Sequence, residues 1–203
     1  MSEKVYVVGF SGEIEKMFVR KKWAISNILD EADIVVFPGG NDINPALYDQ
    51  TALSSTIVSK SQDERDLQMF RRSSKHQLLV GICRGAQFLN VMSGGKLWQH
   101  VDNHTRSHEI VDFALGYEKP FTVTSTHHQM MRIGPDGEML AAARNVASIF
   151  KDDTYTVGTK RNSEWDPEVA WYPTTRCLCF QPHPEFGKGS TEDYFFDLID
   201  HVL

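Results

Sequence analysis

The first half of the chain contains three short, continuous runs of apolar residues, at Val5–Val8, Ile34–Phe37 and Leu78–Ile82. The first two runs stop at turns that contain glycine. Continuous apolar runs, unlike alternating ones, are typical of strands buried on both faces of a parallel sheet. The pattern therefore predicts three strands of such a sheet.

Helical patterns occupy the segments between and after these strands. Apolar residues recur over Ile14–Leu29 at a spacing that suits a helix imperfectly, and a charged stretch over Asp63–Ser73 directs Leu67 and Phe70 inward. A third helical pattern, Ala86–Met92, closely follows the last of the three strands and stops at two glycines. The alternation of strand and helix indicates an α/β fold.

The second half of the chain changes to short strand-like runs separated by Gly, Pro, Asn and Asp, and we expect several of these strands to be antiparallel. A closing helix is predicted over Thr191–Val202, with Thr191 as its N-cap. The expected fold has three layers, with a mainly parallel central sheet flanked by helices and a smaller antiparallel set of strands. The strand-like runs are Glu109–Phe113, Phe121–Thr124, Met139–Ala143, Ala147–Phe150, Glu168–Trp171 and Cys177–Phe180.

Length, composition and charge narrow the class of protein. A chain of 203 residues favours one domain, spanning 1–203, over two. Its 41% hydrophobic and 11% aromatic residues exclude a disordered, collagen-like or disulfide-stapled chain. The formal net charge of -6 argues against a general affinity for nucleic acid or anionic membranes, so we expect neither as a partner.

The cysteines and the first residues of the sequence indicate the cellular compartment in which we expect the protein. Cys83, Cys177 and Cys179 form no pair of CxxC motifs, and their odd number favours reduced thiols and a cytoplasmic protein. The first ten residues lack the apolar core of a signal peptide, and no stretch approaches the roughly 20 apolar residues of a membrane span. Cys177 and Cys179 are expected to pack in the core without forming a disulfide.

Cys83 stands between an apolar strand and a helix, with Gly81 two residues before it and Gly85 two residues after it. This arrangement is the cysteine version of the nucleophile elbow, in which a sharp turn strains the backbone of the nucleophile and flanking glycines let strand and helix approach. At a helix N-terminus the thiolate is favoured over the thiol. A small buried apolar cysteine is the alternative, and the flanking glycines make it the weaker interpretation.

His183 is the candidate base for this nucleophile. The last predicted strand delivers it at the sheet edge where α/β active sites cluster, and prolines on both sides hold it extended. Glu185, two residues on, then falls on the same side and can orient the imidazole and stabilise its protonated form. An ordinary surface loop is the alternative.

Glycines after the second strand suggest an oxyanion hole. Gly39 and Gly40 could expose a backbone N–H at the same edge, to act with the N–H of Arg84 on the oxyanion of an acyl transfer. An ordinary glycine-rich turn explains the two glycines equally well.

The combination of GICRGAQFLNV, PGGNDINP and QPHPEF resembles the class I glutamine amidotransferase-like superfamily, especially its γ-glutamyl peptide hydrolase branch. The resemblance runs in order from Val5 to Phe186 and implies a flavodoxin-like fold. It also implies a triad of Cys83 as nucleophile, His183 as base and Glu185 as orienter. Such a triad cleaves a γ-glutamyl amide through a thioester that water resolves.

The same resemblance assigns residues around the triad. Gly39 and Gly40 match the oxyanion glycines, Arg84 the second donor, and Gln87 a glutamine that lines the substrate pocket. Arg84 and the PGGxDxxP form fit stand-alone hydrolases better than synthetase-coupled glutaminases. The residues matched to a loop over the γ-glutamyl group are Ser125, His127, His128 and Gln129.

Three more histidines are conceivable metal ligands. His100, His104 and His108 recur every four residues, which on a helix would form one face. The Asp, Asn, Thr and Ser residues between them are poor helix formers, so we favour a polar loop leading into a strand and expect no metal and no cofactor.

Three functions remain open. The first is an amidohydrolase that acts on a small γ-glutamyl substrate and water. The second is a glutaminase that passes ammonia to a synthetase in another chain, because this sequence has no P-loop. The third is a catalytically silent binding relative, which intact Cys83, His183 and Glu185 disfavour. A homo-oligomer is compatible with all three.

Overall fold

The computed structural model describes residues 3–144, 150–152, 154–155, 165–187 and 189–203 of the chain. Within these ranges, helices and strands alternate in the first half and strands predominate in the second. The helices are α1 (Gly12–Arg20), α2 (Lys60–Arg72), α3 (Arg84–Met92) and α4 (Ser190–Val202). The strands are β1 (Lys4–Val7), β2 (Ala24–Ile25), β3 (Ile34–Phe37), β4 (Leu78–Ile82), β5 (Lys96–Trp98), β6 (His108–Asp112), β7 (Phe121–Val123), β8 (Met130–Arg132), β9 (Glu138–Arg144), β10 (Phe150–Lys151), β11 (Thr154–Tyr155), β12 (Asp166–Tyr172) and β13 (Cys177–Phe180).

Nine strands form one sheet with the order β2-β1-β3-β4-β13-β12-β9-β6-β7. The first five strands are parallel, and each strand from β12 onward is antiparallel to its neighbours. β5 pairs with β8, and β10 with β11, in two small separate sheets. The predicted α/β architecture, with an antiparallel set from the second half of the chain, is confirmed.

Helices cover both faces of the sheet because its central strands are apolar on both sides. In β3, Ile34 and Val36 join a buried cluster with residues of α1 and α4. Val35 and Phe37 join a second buried cluster with residues of α2 and α3. Removal of this apolar surface from water is the main stabilising contribution to such a fold. The three layers are therefore helix, sheet and helix.

The longest helices, α2 and α4, each contain 13 residues. In the described part of the chain, no helix has the length and apolar character that would let it cross a bilayer.

The helix predicted over Ile14–Leu29 is confirmed only as far as Arg20, and the remainder is wrong because the chain turns at Lys22. Lys22 has a φ of +68°, in the left-handed region that interrupts a right-handed helix. The N–H of Trp23 then donates to the carbonyl of Phe18 at 3.1 Å and closes the end of α1. The apolar residues that follow belong to β2, which pairs in parallel with β1 at the sheet edge.

α2 faces the sheet with two acidic residues, which the apolar pattern did not indicate. Asp63, Asp66 and Met69 are its buried residues, whereas Leu67 and Phe70, predicted to point inward, are partly buried. Residues three apart on a helix share a face, so the two carboxylates enter the protein together. Buried carboxylates require a positively charged partner.

Five of the six strand-like runs predicted in the second half are strands, with ends displaced by two residues or fewer. The sixth, Ala147–Phe150, lies outside the described residues except for Phe150. Thr191 is not the N-cap of α4, because Gly189 holds that position with a φ of +96°. Glycine adopts this conformation without steric cost, and Thr191 is instead buried within the first turn.

The backbones of β4 and α3 come into contact where the strand passes into the helix. A methyl group added at Gly81 would lie 2.3 Å from the carbonyl oxygen of Gly85. One added at Gly85 would lie 1.9 Å from the carbonyl oxygen of Phe37 in β3. These two glycines therefore allow the close approach that their spacing around Cys83 predicts.

We expect Gly85→Ala to lower the free energy of unfolding by at least about 2 kcal/mol, because the new methyl group would overlap backbone atoms that cannot rotate away. Gly12→Ala is the matched control. Its nearest heavy atom would be 3.7 Å away, so this change should be neutral or stabilise by up to about 1 kcal/mol. Urea unfolding measures both. A Gly85→Ala protein as stable as the wild type would contradict the close approach.

Candidate active site

Cys83 is the residue at which β4 turns into α3. Its φ is +53° and its ψ is −111°, a conformation that is strained for any residue with a side chain. Its N–H donates to the carbonyl of Phe180 in β13 at 2.9 Å, and the residue is 8% exposed. The turn therefore places the thiol at the carboxyl end of the parallel strands, next to the N-terminus of α3.

His183 reaches the same edge because β13 runs parallel to β4, with Phe180 paired to Ile82. Two hydrogen bonds with Thr124 fix the backbone of His183. The N–H of His183 donates to the Thr124 carbonyl at 3.3 Å, and the Thr124 hydroxyl donates to the His183 carbonyl at 2.6 Å. The imidazole Nδ1 lies 2.8 Å from Oε1 of Glu185.

Gly39 adjoins both side chains. A methyl group added at Gly39 would lie 3.3 Å from Cε1 of His183 and 3.8 Å from Cβ of Cys83. β3, β4 and β13 are neighbours in the sheet, so each delivers one of these residues to the same point. The structure thus brings together Cys83, His183, Glu185 and Gly39, as the sequence predicts.

The electrostatics of the site favour a protonated imidazole. Burial alone would lower the pKa of His183, but hydrogen bonds to Cys83 and Glu185 outweigh it and raise the pKa to about 10. Glu185 leaves Nε2 as the nitrogen that can exchange a proton with the sulfur or with a substrate.

The two residues predicted to supply oxyanion N–H groups, Gly39 and Arg84, both lie next to Cys83. The N–H of Gly39 donates to no acceptor in the described part of the chain. That of Arg84 lies in the first turn of α3, where N–H groups lack partners within a helix. Gln62 holds the loop by donating from Nε2 to the Gly39 carbonyl at 3.2 Å, and its side chain fills the space next to Gly40.

The side chain of Arg84 has a separate structural role that the sequence did not suggest. It is 1% exposed and forms ion pairs with Asp63 and Asp66 of α2. Its Nε donates to the carbonyl of Asn41 at 3.2 Å, two residues after Gly39. The buried guanidinium therefore ties α2 and the loop after β3 to the residue that follows Cys83. The three-residue spacing of the two aspartates is the one signal in the sequence that could have revealed this contact.

Gln87 is buried next to the segment 125–129, of which Ser125, His127 and Gln129 are also buried. Nε2 of Gln87 donates to the carbonyl of Gln129 at 3.1 Å and to Oε1 of Gln181 at 3.2 Å. The hydroxyl of Ser125 donates to the carbonyl of His104. Both polar atoms of the Gln129 amide are buried without a hydrogen-bond partner. Gln87 therefore holds the segment in place through its backbone.

His127 and His128 point in different directions. The half-buried His128 lies 3.1 Å from Oδ1 of Asp42, and this hydrogen bond raises its pKa. His127 is buried, together with His104 and His108, against Glu168 of β12. The segment from His104 to His108 is a polar loop that leads into β6, as predicted. Thr105, Arg106 and Ser107 are exposed, whereas the two histidines are buried.

A cleft of about 660 Å³ opens beside the imidazole. Gly39, Gly40, His183 and Glu185 line one end of it. Cys83 does not line the cleft itself. Gly39 and His183 line the cleft, and both residues adjoin Cys83. The polar residues along the cleft are Ser11, Ser59, Ser61, Gln62 and Arg65.

Cys177 and Cys179 are buried free thiols, as predicted. Burial raises the pKa of Cys177 to about 11 and holds that of Cys179 well above its ordinary value. Both are therefore unreactive at neutral pH, in contrast to a thiol at the sheet edge.

Comparisons with known proteins find similar sequences and similar folds. Residues 16–151 match the profile of the peptidase C26 family. The glutamine amidotransferase-like protein YvdE of Lactococcus lactis subsp. lactis is 28% identical over 176 residues, which cover 75% of this chain and 73% of that protein. A glutamine amidotransferase-like protein of Rickettsia prowazekii is 29% identical over 97 residues, and the match covers 46% of this chain but 34% of that relative.

Solved structures show the same fold at lower identity. A protein of Thermoplasma acidophilum, described as a candidate subunit of GMP synthase, superimposes with a TM-score of 0.69 at 15% identity. The superposition covers 100% of this chain and 94% of that one. It supports the flavodoxin-like arrangement implied by the sequence resemblance.

The raised pKa of His183 predicts a pH-dependent contribution of Glu185 to stability. The pKa is 6.5 for an ordinary histidine and about 10 in the fold, so the stabilisation is complete below pH 6.5 and is lost as the pH rises toward 10. We expect Glu185→Gln to cost about 2 kcal/mol at pH 6 and progressively less up to pH 10, as measured by urea unfolding.

Glu192→Gln is the control for that experiment. Glu192 pairs with Arg20 at 2.8 Å, and arginine stays charged throughout this range, so its effect should not change with pH. A Glu185→Gln effect that is equally constant would contradict the charge assignment of His183.

Proposed function

The chain belongs to the peptidase C26 family, and from this premise we propose that it is a cysteine amidohydrolase. Its substrate class would be the γ-glutamyl amide of glutamine, or of a γ-glutamyl amine or peptide. The observation that carries this proposal is the position of Gly39, which adjoins both the Cys83 side chain and the His183 imidazole. A nucleophile, a base and an N–H donor meet there at one sheet edge.

In the first half of the reaction, the Cys83 thiolate adds to the γ-carbonyl carbon of the substrate. The N–H groups of Gly39 and Arg84 would donate to the oxygen, which becomes negatively charged in the tetrahedral intermediate. His183, already protonated, gives its Nε2 proton to the amine nitrogen as the carbon–nitrogen bond breaks. The products of this step are the free amine and a γ-glutamyl thioester on Cys83.

Water completes the cycle. His183, now neutral, takes a proton from a water molecule that adds to the thioester carbonyl. Collapse of the second tetrahedral intermediate releases glutamate and restores the thiolate beside a protonated imidazole. Glu185 keeps the ring oriented and stabilises its charge in both halves, through the contact at 2.8 Å.

The buried electrostatics support this assignment of roles over that of a silent relative. A strained backbone at Cys83 costs stability in a protein that does not use it, and a strongly shifted pKa such as that of His183 is typical of catalytic sites. A core cysteine needs neither, as Cys177 and Cys179 illustrate.

A second candidate function is the supply of ammonia to a synthetase in another chain. The fold shared with a candidate GMP synthase subunit from Thermoplasma acidophilum favours it. The chemistry at Cys83 would be the same, with glutamine as substrate. The difference would lie in the dependence of activity on a partner.

The test is release of glutamate by the purified chain from glutamine and from a panel of γ-glutamyl amines. We expect turnover of at least one γ-glutamyl amine without any partner, and a loss of at least about 1,000-fold in Cys83→Ala. Cys177→Ala, which removes a buried thiol from the core, should keep activity. Slow turnover of glutamine alone would favour the ammonia donor. No glutamate from any substrate, or full activity in Cys83→Ala, would contradict the proposal.

A further inference from the structure

A second cluster of chemical groups lies away from Cys83, around the carboxylate of Glu168. Three imidazoles converge on its Oε1: Nδ1 of His104 at 3.0 Å, Nε2 of His108 at 3.0 Å and Nε2 of His127 at 3.5 Å. All four side chains are at most 2% exposed. They come from the loop before β6, the start of β6, the segment after β7, and β12.

A β-bulge presents Glu168 to the histidines. Pro167 and Val169 of β12 pair with the consecutive residues Ala142 and Ala141 of β9, so Glu168 is the extra residue between them. Bulges re-aim a side chain at the expense of regular pairing. The backbone at Glu168 still has a partner, because its carbonyl accepts from the N–H of Gln181 at 2.8 Å.

The outward nitrogen of each ring is already engaged. Nδ1 of His108 lies 3.0 Å from the carbonyl of Arg106, and Nδ1 of His127 lies 2.8 Å from the carbonyl of Gln129. Nε2 of His104 lies 3.0 Å from Oδ2 of Asp166. A carbonyl can only accept, so the outward nitrogens of His108 and His127 carry the proton. In a neutral ring the inward nitrogen then presents a lone pair.

If His108 and His127 were neutral, each would direct a nitrogen lone pair at Oε1 of Glu168. This arrangement is repulsive unless a positive charge lies between the rings and the carboxylate. Three atoms of the cluster also make no hydrogen bond although they are buried: Nδ1 of His104, Nε2 of His127 and Oε2 of Glu168. Protonation of the rings is one way to neutralise the two carboxylates of Asp166 and Glu168. One divalent cation would balance both carboxylates and occupy the inward lone pairs.

The spacing of the inward atoms suits such an ion. The ligand atoms of His104, His108 and Glu168 lie within 4.8 Å of one another. Four ligands placed tetrahedrally at about 2.0–2.2 Å from a metal are about 3.4 Å apart. The three distances to Oε1 of Glu168, from 3.0 to 3.5 Å, are close to that value.

We propose that His104, His108, His127 and Glu168 bind one first-row divalent transition metal, with Zn²⁺ as the reference ion. Imidazole-rich sites favour this class of metal over Mg²⁺ or Ca²⁺. The contacts of the outward nitrogens, with Asp166 and two backbone carbonyls, are those that orient histidine ligands in metal sites. With His127 as the fourth ligand, four buried protein groups would fill a tetrahedral coordination sphere, so the proposed site is a structural one.

The metal would fasten the segment 125–129 to the sheet. His127 lies within this segment, and the carbonyl of Gln129, which accepts from the His127 ring, also accepts from Nε2 of Gln87 in α3 at 3.1 Å. Metal binding is thus linked to the position of a segment that lies near the elbow helix. The metal site itself depends on none of the roles proposed for Cys83, His183 and Glu185.

The test begins with protein stripped by a chelator and dialysed into metal-free buffer. This protein is titrated with ZnCl2 in a calorimeter, and the metal that remains bound after desalting is then quantified. Both measurements should give one Zn²⁺ per chain. The melting temperature should rise by at least about 5 °C with saturating Zn²⁺. Substitution with Co²⁺ should give the visible absorption of a tetrahedral site with nitrogen and oxygen ligands, without a thiolate band.

Four variants locate the ion. His104→Gln and Glu168→Gln should lose stoichiometric binding, whereas Asp166→Asn, which keeps every ligand, should weaken it by about 10- to 100-fold. His76→Gln, at an exposed histidine, is the control for adventitious binding and should bind as the wild type does. Far-UV circular dichroism confirms folding of each variant, and Asp166→Asn decides the matter if the ligand variants do not fold.

Two results would overturn the proposal. One is wild-type protein that retains no metal, shows no binding heat and gains no thermal stability, which would mean that protons alone balance the cluster. The other is stoichiometric metal in folded His104→Gln and Glu168→Gln proteins, or unchanged affinity in Asp166→Asn, which would place the ion elsewhere.

Discussion

The left-handed backbone of Cys83 can exist only if β4 and α3 approach more closely than side chains permit. Gly81 and Gly85 allow that approach because neither has a side chain. Gly81 packs against the backbone of Gly85, and Gly85 packs against the carbonyl of Phe37 in β3. The same contact holds the start of α3 close to the edge of the sheet. Gly39, which follows β3, and His183, which follows β13, then reach the sulfur because their strands flank β4. The arrangement of the proposed site is thus a consequence of strand order and of two glycines.

Buried ion pairs between Arg84 and two aspartates of α2 stabilise the turn at Cys83. Removing either partner of such a pair leaves an uncompensated charge in the interior, which is strongly destabilising. The side chain of Arg84 joins Asp63 and Asp66 of α2, while its backbone N–H is the second oxyanion donor that we propose. The side chain therefore contributes to the packing of α2, separately from the role proposed for the main chain. A substitution at this position tests the packing rather than catalysis.

Much of the fold could be predicted from the sequence because its signals are local. β3, β4 and β13 could be located to the residue, since continuous apolar runs bounded by turns have few other interpretations. The helix over Ile14–Leu29 was wrong because β2 at the sheet edge is too short to interrupt an apolar pattern visibly. The pairing of Cys83 with His183 could be anticipated because both follow predicted parallel strands.

Contacts that depend on long-range pairing could not be predicted in this way. Glu168 was assigned to a strand, which is correct, but the bulge that turns it toward His104, His108 and His127 depends on pairing with β9. The burial of Asp63 and Asp66 depends likewise on a guanidinium about twenty residues away in the chain. Polar residues in a sequence give no indication of their burial unless the partner is known.

Of the three thiols, Cys83 is the one we propose as the nucleophile that attacks a γ-glutamyl carbonyl, on the evidence of its turn and its neighbours. Intact-mass analysis after incubation with an electrophilic glutamine analogue, followed by peptide mapping, tests this central claim most directly. We expect a single adduct on Cys83, none on Cys177 or Cys179, and none in a folded His183→Ala protein at the same exposure. Absence of any adduct on folded wild-type protein, or modification of all three cysteines at equal rates, would contradict it.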